Sequence, residues 1–297
     1  MLEDRFLHAA LVDAMEGTVT TLPGLSVTGQ EVGPAGVAAI LSDGQRLTAR
    51  LLIGADGRGS GVATRAGIRR QGWDYGQTAL VAAIDHALPH QRIAHQYFMA
   101  TGPLAILPLP GNRSNIVWSE TTANAAAIAA LDDAAFLAVL RPRFGDFLGD
   151  LSLAGPRFSY PLSLSLAERY AADRVALAGD AAHGVHPIAG QGLNLGLRDV
   201  AALAEVLVDA ARRGEDIGST LVLERYQAWR RPDATTLALG MDAVNRLFAT
   251  DNPAMAGLRG AGMGVVDALP GLRRGFMRQA AGLSVSPMPR MLAGQAL

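Results

Sequence analysis

The chain contains no cysteine and no lysine. Without cysteine it forms no disulfide and runs no thiolate chemistry, which fits a cytoplasmic setting. Without lysine all 26 basic side chains are arginines. No internal Schiff base can form, so pyridoxal-phosphate and class I aldolase chemistries are excluded. Net charge is −1, so no global field recruits nucleic acid. No apolar run reaches membrane-spanning length, and no secretory pattern is legible. The 297 residues suffice for one large or two modest domains.

What is present gathers around Arg174 to Asp199, RVALAGDAAHGVHPIAGQGLNLGLRD. Val175 to Ala178 is apolar, too short for a helix and stopped by Gly179, so it predicts a buried strand. Asp180 then stands at the strand's carboxyl end, the edge where open α/β sheets bind ligands. Pro187, Gly190 and Gly192 permit tight turns and close backbone approach. Leu193, Leu197, Val200, Ala201 and Ala204 recur at helical spacing, so a helix starts near Gly192 or Leu193. A helix amino terminus favours an anion, and a carboxylate accepts hydrogen bonds from a ribityl or ribose chain. The unit suits a cofactor bearing both sugar hydroxyls and negative charge.

This stretch resembles the second flavin motif of the FAD-dependent aromatic hydroxylases related to para-hydroxybenzoate hydroxylase. HPIAGQGLNLGLRD is similar to the branch that hydroxylates polyprenylated phenols in ubiquinone biosynthesis. The resemblance implies that Asp180 holds a ribityl hydroxyl. It implies further that Gly179, Ala181, His183, Pro187, Ala189, Gly190, Gln191, Gly192, Leu193 and Asn194 belong to the cofactor site. A second stretch, LLIGADGRGS from Leu51 to Ser60, again ends a strand in Gly and an acid before a sharp turn. It resembles the family's GADGxxS motif, which implies that Asp56 and Gly57 lie near the flavin pyrophosphate. Three residues after the serine the family carries an arginine; here Ala63 stands there, with Arg65 nearby.

Met1 to Met15 has amphipathic helical spacing without a start signal. Val37 to Leu41 and Arg46 to Ile53 flank Ser42-Asp43-Gly44-Gln45, a hairpin signal. Ala79 to Ile84, Leu104 to Leu109 and Asn115 to Ser119 are strand-like, and Asp132 to Leu140 is helix-like. MATGPLAILPLPGN and NIVWSE resemble the substrate sheet of the ubiquinone branch. Phe98, Leu107 and Trp118 then either contact a phenol or fill the sheet's core. Leu221 to Trp229 and Leu237 to Phe248 predict two helices broken at Pro232-Asp233.

His183 and His186 have a metal-like spacing, but no further ligand stands at usual spacing beyond Asp180. No metal is expected, and the pair shapes the loop. His186 can also serve as an acid or base near the flavin. From Ala268 onward Arg273, Arg274, Arg278 and Arg290 occur with no acid, interleaved with Leu272, Phe276 and Met277. That tail suits either an anionic membrane surface, giving a peripheral inner-membrane or biosynthetic-complex contact, or a solvated helix face.

The family's opening strand with GxGxxG has no match here. The resemblance therefore implies an internal start, a truncation or a gene fragment, and weak or absent FAD binding by the chain alone. The expected fold is α/β: an incomplete three-layer, Rossmann-like FAD/NAD(P)-binding domain, an inserted mostly antiparallel substrate sheet, and carboxyl-terminal helices. The expected divisions are 1–71 and 166–232 for the flavin domain, 72–165 for the sheet and 233–297 for the helices. The implied activity is FAD-dependent hydroxylation of an aromatic ring, a polyprenylated phenol, with NAD(P)H and O2. No catalytic base is identifiable. A same-fold flavin reductase and a non-catalytic fragment are the alternatives. A flavin halogenase is disfavoured because WxWxIP is absent, Trp73, Trp118 and Trp229 standing apart.

Overall fold

The computed structural model describes residues 3–248, 269–271, 274–275 and 287–297. In chain order its first half comprises α1 (Asp4–Met15), β1 (Val27–Gly33), β2 (Gly36–Leu41), β3 (Arg46–Ala49), β4 (Leu52–Gly54), α2 (Gly61–Arg65), β5 (Arg70–His86), β6 (His95–Met99), β7 (Gly102–Leu109) and β8 (Arg113–Thr121). There follow α3 (Thr122–Ala129), α4 (Asp133–Phe144), β9 (Leu151–Leu153), β10 (Phe158–Ala167), β11 (Ala171–Ala172), β12 (Val175–Leu177), β13 (His183–Gly184), α5 (Gly192–Arg212) and α6 (Thr220–Phe248). No helix among the described residues is long and apolar enough to cross a membrane.

The described residues form two compact units, one of 3–23, 75–162 and 245–248, the other of 24–74, 163–244 and the parts described after 268. The amino-terminal helix α1 belongs to the first unit, and α6 up to Val244 belongs to the second.

In the sheet unit β5, β8, β7 and β6 lie side by side in antiparallel register, with Trp118 opposite both Leu80 and Leu104. Alternation along β8 sends Ser114, Ile116 and Trp118 inward. Ile116 and Trp118 meet Phe136, Leu140 and Phe144 of α4 and Ala125 of α3 in one apolar core. Asp132 caps α4 by accepting from Ala135 N at 2.8 Å, and Thr121 caps α3 through Asn124 N. The apolar stripe of α1 meets no such core: none of its residues is buried.

In the other unit β1, β2 and β3 form an antiparallel meander, with Gly44 at φ +85° in the turn that Ser42-Asp43-Gly44-Gln45 announces. The run Arg46–Ile53 is not one strand. It divides at Arg50, because β3 stays on this meander while β4 joins β12 in a second sheet of order β11, β12, β4. Arg174 ties the start of β12 down. Its guanidinium donates to Gly33 O (3.0 Å), Pro34 O, Arg50 O (3.2 Å) and the Asp216 carboxylate, and its backbone sits at φ +55°.

The break expected at Pro232 does not occur, and α6 runs through it. Proline removes one ladder hydrogen bond and crowds the preceding turn. Here Arg230 is clamped to Asp199 and Asp233, and Ala234 and Ala238 are buried, so tertiary anchoring on both sides of the proline keeps the helix continuous.

Candidate functional site

Parallel pairing of β4 and β12 brings the two glycine motifs to one sheet edge. Leu52, Ile53 and Gly54 stand level with Val175, Ala176 and Leu177, and Ala178 N donates to Gly54 O at 3.0 Å. Val175 to Leu177 are fully buried, which is what their uninterrupted apolar character predicts. Gly54 cannot carry a side chain, since a Cβ there would lie 2.9 Å from both Leu177 and Val62. Asp56 and Asp180 therefore leave the sheet on the same side.

They do different work there. Asp56 accepts from Ser60 Oγ (2.6 Å) and Val62 N (3.0 Å), while Ser60 Oγ accepts from Ala63 N (2.9 Å). Burial works to raise its carboxyl, but these bonds together hold it below the usual carboxylate range. Ser60 is thus the N-cap of α2, Asp56 braces it by accepting from both Ser60 Oγ and Val62 N, and Gly57 at φ +80° makes the turn between them. Ala63 is wholly enclosed, so the position has no room for the larger arginine of the resembling family.

Asp180 keeps 42% of its side chain exposed, with Oδ2 accepting from Arg58 Nε at 3.0 Å. Its backbone is held from beneath: Arg70 donates to Asp180 O at 2.9 Å and to Ala181 O. Gly179, at φ +62°, donates its N–H to Asp199 Oδ2 at 3.0 Å and faces Gly196 of α5. Beyond the loop, a 3₁₀ turn over Ile188–Gly190, which includes Ala189, leads into α5. Gly190, Leu193 and Asn194 lie on the exposed side, while Gln191 is buried and accepts from Asn194 Nδ2 at 3.4 Å. No side chain among the described residues caps α5, so its first turn presents N–H groups and the positive end of a 21-residue helix.

Pro187 is half-buried beside this turn, but His183 is not on the open face. It is wholly enclosed, its Nε2 lying 2.5 Å from Asp199 Oδ2. A carboxylate only accepts, so this nitrogen carries the proton. Asp199 Oδ1 accepts from Arg230 Nε at 2.8 Å, and Arg230 reaches on to Asp233 at 2.7 Å. Arg58, Arg70, Asp199 and Arg230 escaped the sequence reading. Only the Arg198-Asp199 pair, unexpected among apolar helix positions, gave a signal.

His186 is also buried, and its Nδ1 accepts from Ile188 N at 3.2 Å. Burial, aided by Arg58, pushes its ring down to about 4 from an ordinary value of 6.5. Protonation is then harder in the folded chain than in the unfolded one. Its contribution to stability is complete above about pH 6.5 and is lost as pH falls toward 4, with a slope of at most about 1.4 kcal/mol per pH unit. Urea midpoints across that range are expected to fall less steeply in His186→Asn than in the parent; parallel curves would refute the assignment.

In the sheet unit the three candidate substrate contacts separate. Trp118 is 0% exposed, its ring 6.2 Å from that of Phe136 with the Arg143 guanidinium 5.0 Å above it. It fills the core, and its assignment to substrate is withdrawn. Phe98 is partly exposed, its ring 4.0 Å from that of Phe248, and Leu107 is half-buried next to the inward-facing Ile106.

Residues 7–239 match the family model described as FAD binding domain. Ubiquinone hydroxylase UbiL of Rhodospirillum rubrum is 46% identical over 298 residues, covering 99% of this chain and 70% of its own length. Ubiquinone biosynthesis monooxygenase COQ6 of Xenopus tropicalis is 36% identical, covering 80% of this chain and 58% of its own. Among solved structures, the OxyS anhydrotetracycline hydroxylase of Streptomyces rimosus superposes with a TM-score of 0.72 at 26% identity, covering 96% of this chain and 57% of that one. The chain thus spans well under the full length of each.

Proposed function

The chain belongs to the FAD binding domain family, and from that premise we propose that it carries the flavin-contacting part of an FAD-dependent monooxygenase that hydroxylates an aromatic ring. The observation that supports this best is the placing of a half-exposed carboxylate, Asp180, beside an uncapped helix amino terminus at the end of paired parallel strands. Those residues fit FAD. A carboxylate accepts from polyol hydroxyls, a helix terminus favours the negative charge of the reduced isoalloxazine, and Gly190, with nothing within 4 Å of where a Cβ would stand, allows close approach.

When bound, FAD would take a hydride from NAD(P)H and activate O2. The chain's own share is orientation and electrostatics. Asp180 anchors the sugar chain, Gly190 to Asn194 shape the cofactor-facing turn, and the α5 dipole favours the reduced, anionic cofactor. Asp56 and Gly57 act on the phosphate side by fixing the α2 turn. A polyprenylated phenol of ubiquinone biosynthesis is the substrate we favour, on the strength of the activities named for the relatives, with Phe98 and Leu107 as candidate contacts. The acid-free arginine tail supports a peripheral contact with an anionic membrane surface; Arg273, Arg278, Leu272, Phe276 and Met277 of it lie outside the described residues.

FAD titration of the full chain, followed by flavin fluorescence, tests the reading. Weak but saturable binding is expected, since the GxGxxG portion has no match here, and Asp180→Ala is expected to weaken it about 10- to 100-fold further by removing a charged acceptor. Absence of binding, or an Asp180→Ala protein that binds as the parent does, would overturn it.

A further inference from the structure

Arg58 occupies one of the two variable positions of GADGRGS, and no requirement of the turn calls for an arginine there. Its side chain nevertheless lies stretched over Gly184, where a Cβ would come within 3.1–3.2 Å of the Arg58 stem. Every nitrogen of its guanidinium is engaged. Nε donates to Asp180 Oδ2 at 3.0 Å, one terminal nitrogen to Ser163 O and Oγ at 3.1 and 3.3 Å, and the other to Val185 O at 2.9 Å. The carbonyls and the hydroxyl fix the plane of the fork, and the remaining N–H can then point only one way. It points at Asp180, 122 positions distant in sequence.

We propose that Arg58 is the positioning residue of the cofactor site, holding the Asp180 carboxylate in place for a sugar-chain hydroxyl. This rests on the flavin reading given above. Two physical consequences follow. A carboxylate on a half-exposed loop would otherwise sample several rotamers, and one oxygen pinned by a rigid fork leaves the other directed outward as an acceptor. The guanidinium also balances the aspartate's charge, which would otherwise oppose the phosphates of an incoming dinucleotide. Lysine, a point charge on a flexible stem, would supply the second effect without the first.

The test is a double-mutant cycle read as FAD dissociation constants, with parent, Arg58→Met, Asp180→Ala and the double variant titrated alongside thermal melts without flavin. Arg58→Met keeps the apolar stem over Gly184. It is expected to weaken binding about ten-fold in the parent background and by less than about two-fold once Asp180 is alanine. Arg58→Lys is expected to recover only part of the loss, and it keeps the test decisive should the methionine variant fail to fold. Parent-like binding by Arg58→Met, or an equal loss in both backgrounds, would overturn the assignment while leaving the flavin reading intact. In that case Arg58 acts through Ser163 and Val185 instead. Parent-like binding by Arg58→Lys would likewise remove the role given to the fork. If the parent itself binds no FAD, the flavin reading fails and this inference falls with it.

Discussion

Replacing Asp199 with alanine is expected to cost about 3–5 kcal/mol of stability, the range for removing one member of a buried ion pair. This carboxylate accepts from Gly179 N, His183 Nε2 and Arg230 Nε, and none of the three side chains involved has any exposure. Alanine would leave the guanidinium of Arg230 with Asp233 alone and the ring of His183 without its acceptor. The harm comes from stranded partners more than from the lost attraction. Hence Asp199→Ala combined with Arg230→Leu is expected to be less damaging than the sum of the two single changes. Denaturant midpoints of the four proteins would show it. A loss below about 1 kcal/mol in the single alanine variant, or strict additivity, would refute the account. The loss should also reach the loop that carries Asp180, because Gly179 stands immediately before it.

The second large effect is expected at Trp118, where alanine should remove about 3–5 kcal/mol by opening a cavity among Leu80, Leu104, Phe136 and Leu140. Phenylalanine should do much less harm than the lost volume suggests. The indole Nε1 is buried without a hydrogen-bond partner among the described residues, so removing it relieves an unmet donor. A Trp118→Phe protein as unstable as Trp118→Ala would contradict this. A substrate role for the indole would instead predict stability preserved and affinity for the phenol reduced.

Trp118 also illustrates where the sequence was ambiguous. Aromatics on an antiparallel strand alternate between core and open face, and a one-residue difference in register decides which. Its inward place became clear only from its partners Leu80 and Leu104. The elements themselves were largely legible. The buried run Val175–Leu177 and the Ser42–Gln45 turn announce themselves locally, and the helix after Gly192 follows from spacing. Yet of the five residues that revealed that helix, Leu193, Leu197 and Val200 are exposed, Ala204 is half-buried and Ala201 alone is buried. The buried side carries Leu195, Arg198, Asp199, Ala202 and Val206. A periodicity reading scores charge as outward, so the burial of Arg198 and Asp199 is not legible from spacing. Pro232 misled for a related reason: a local breaker was overruled by contacts from a distant segment. Arg58 and Arg70 could not be found locally at all. Their partners lie more than a hundred positions away, and arginine carries no periodic signal of its own.

Arg174 shows a last kind of constraint. Its backbone occupies a left-handed conformation in which glycine is the comfortable residue. Its side chain meanwhile holds three carbonyls and a carboxylate that only a planar, many-donor group can serve together. The two demands name different amino acids, and no single residue satisfies both. Substitution that relaxes the main chain forfeits the knot, and substitution that keeps some of the knot still bears the strain. Along a lineage such a position has no gradual route away from arginine. It should stay fixed while the surface around it drifts, and that immobility would be mistaken for chemistry if read without the structure.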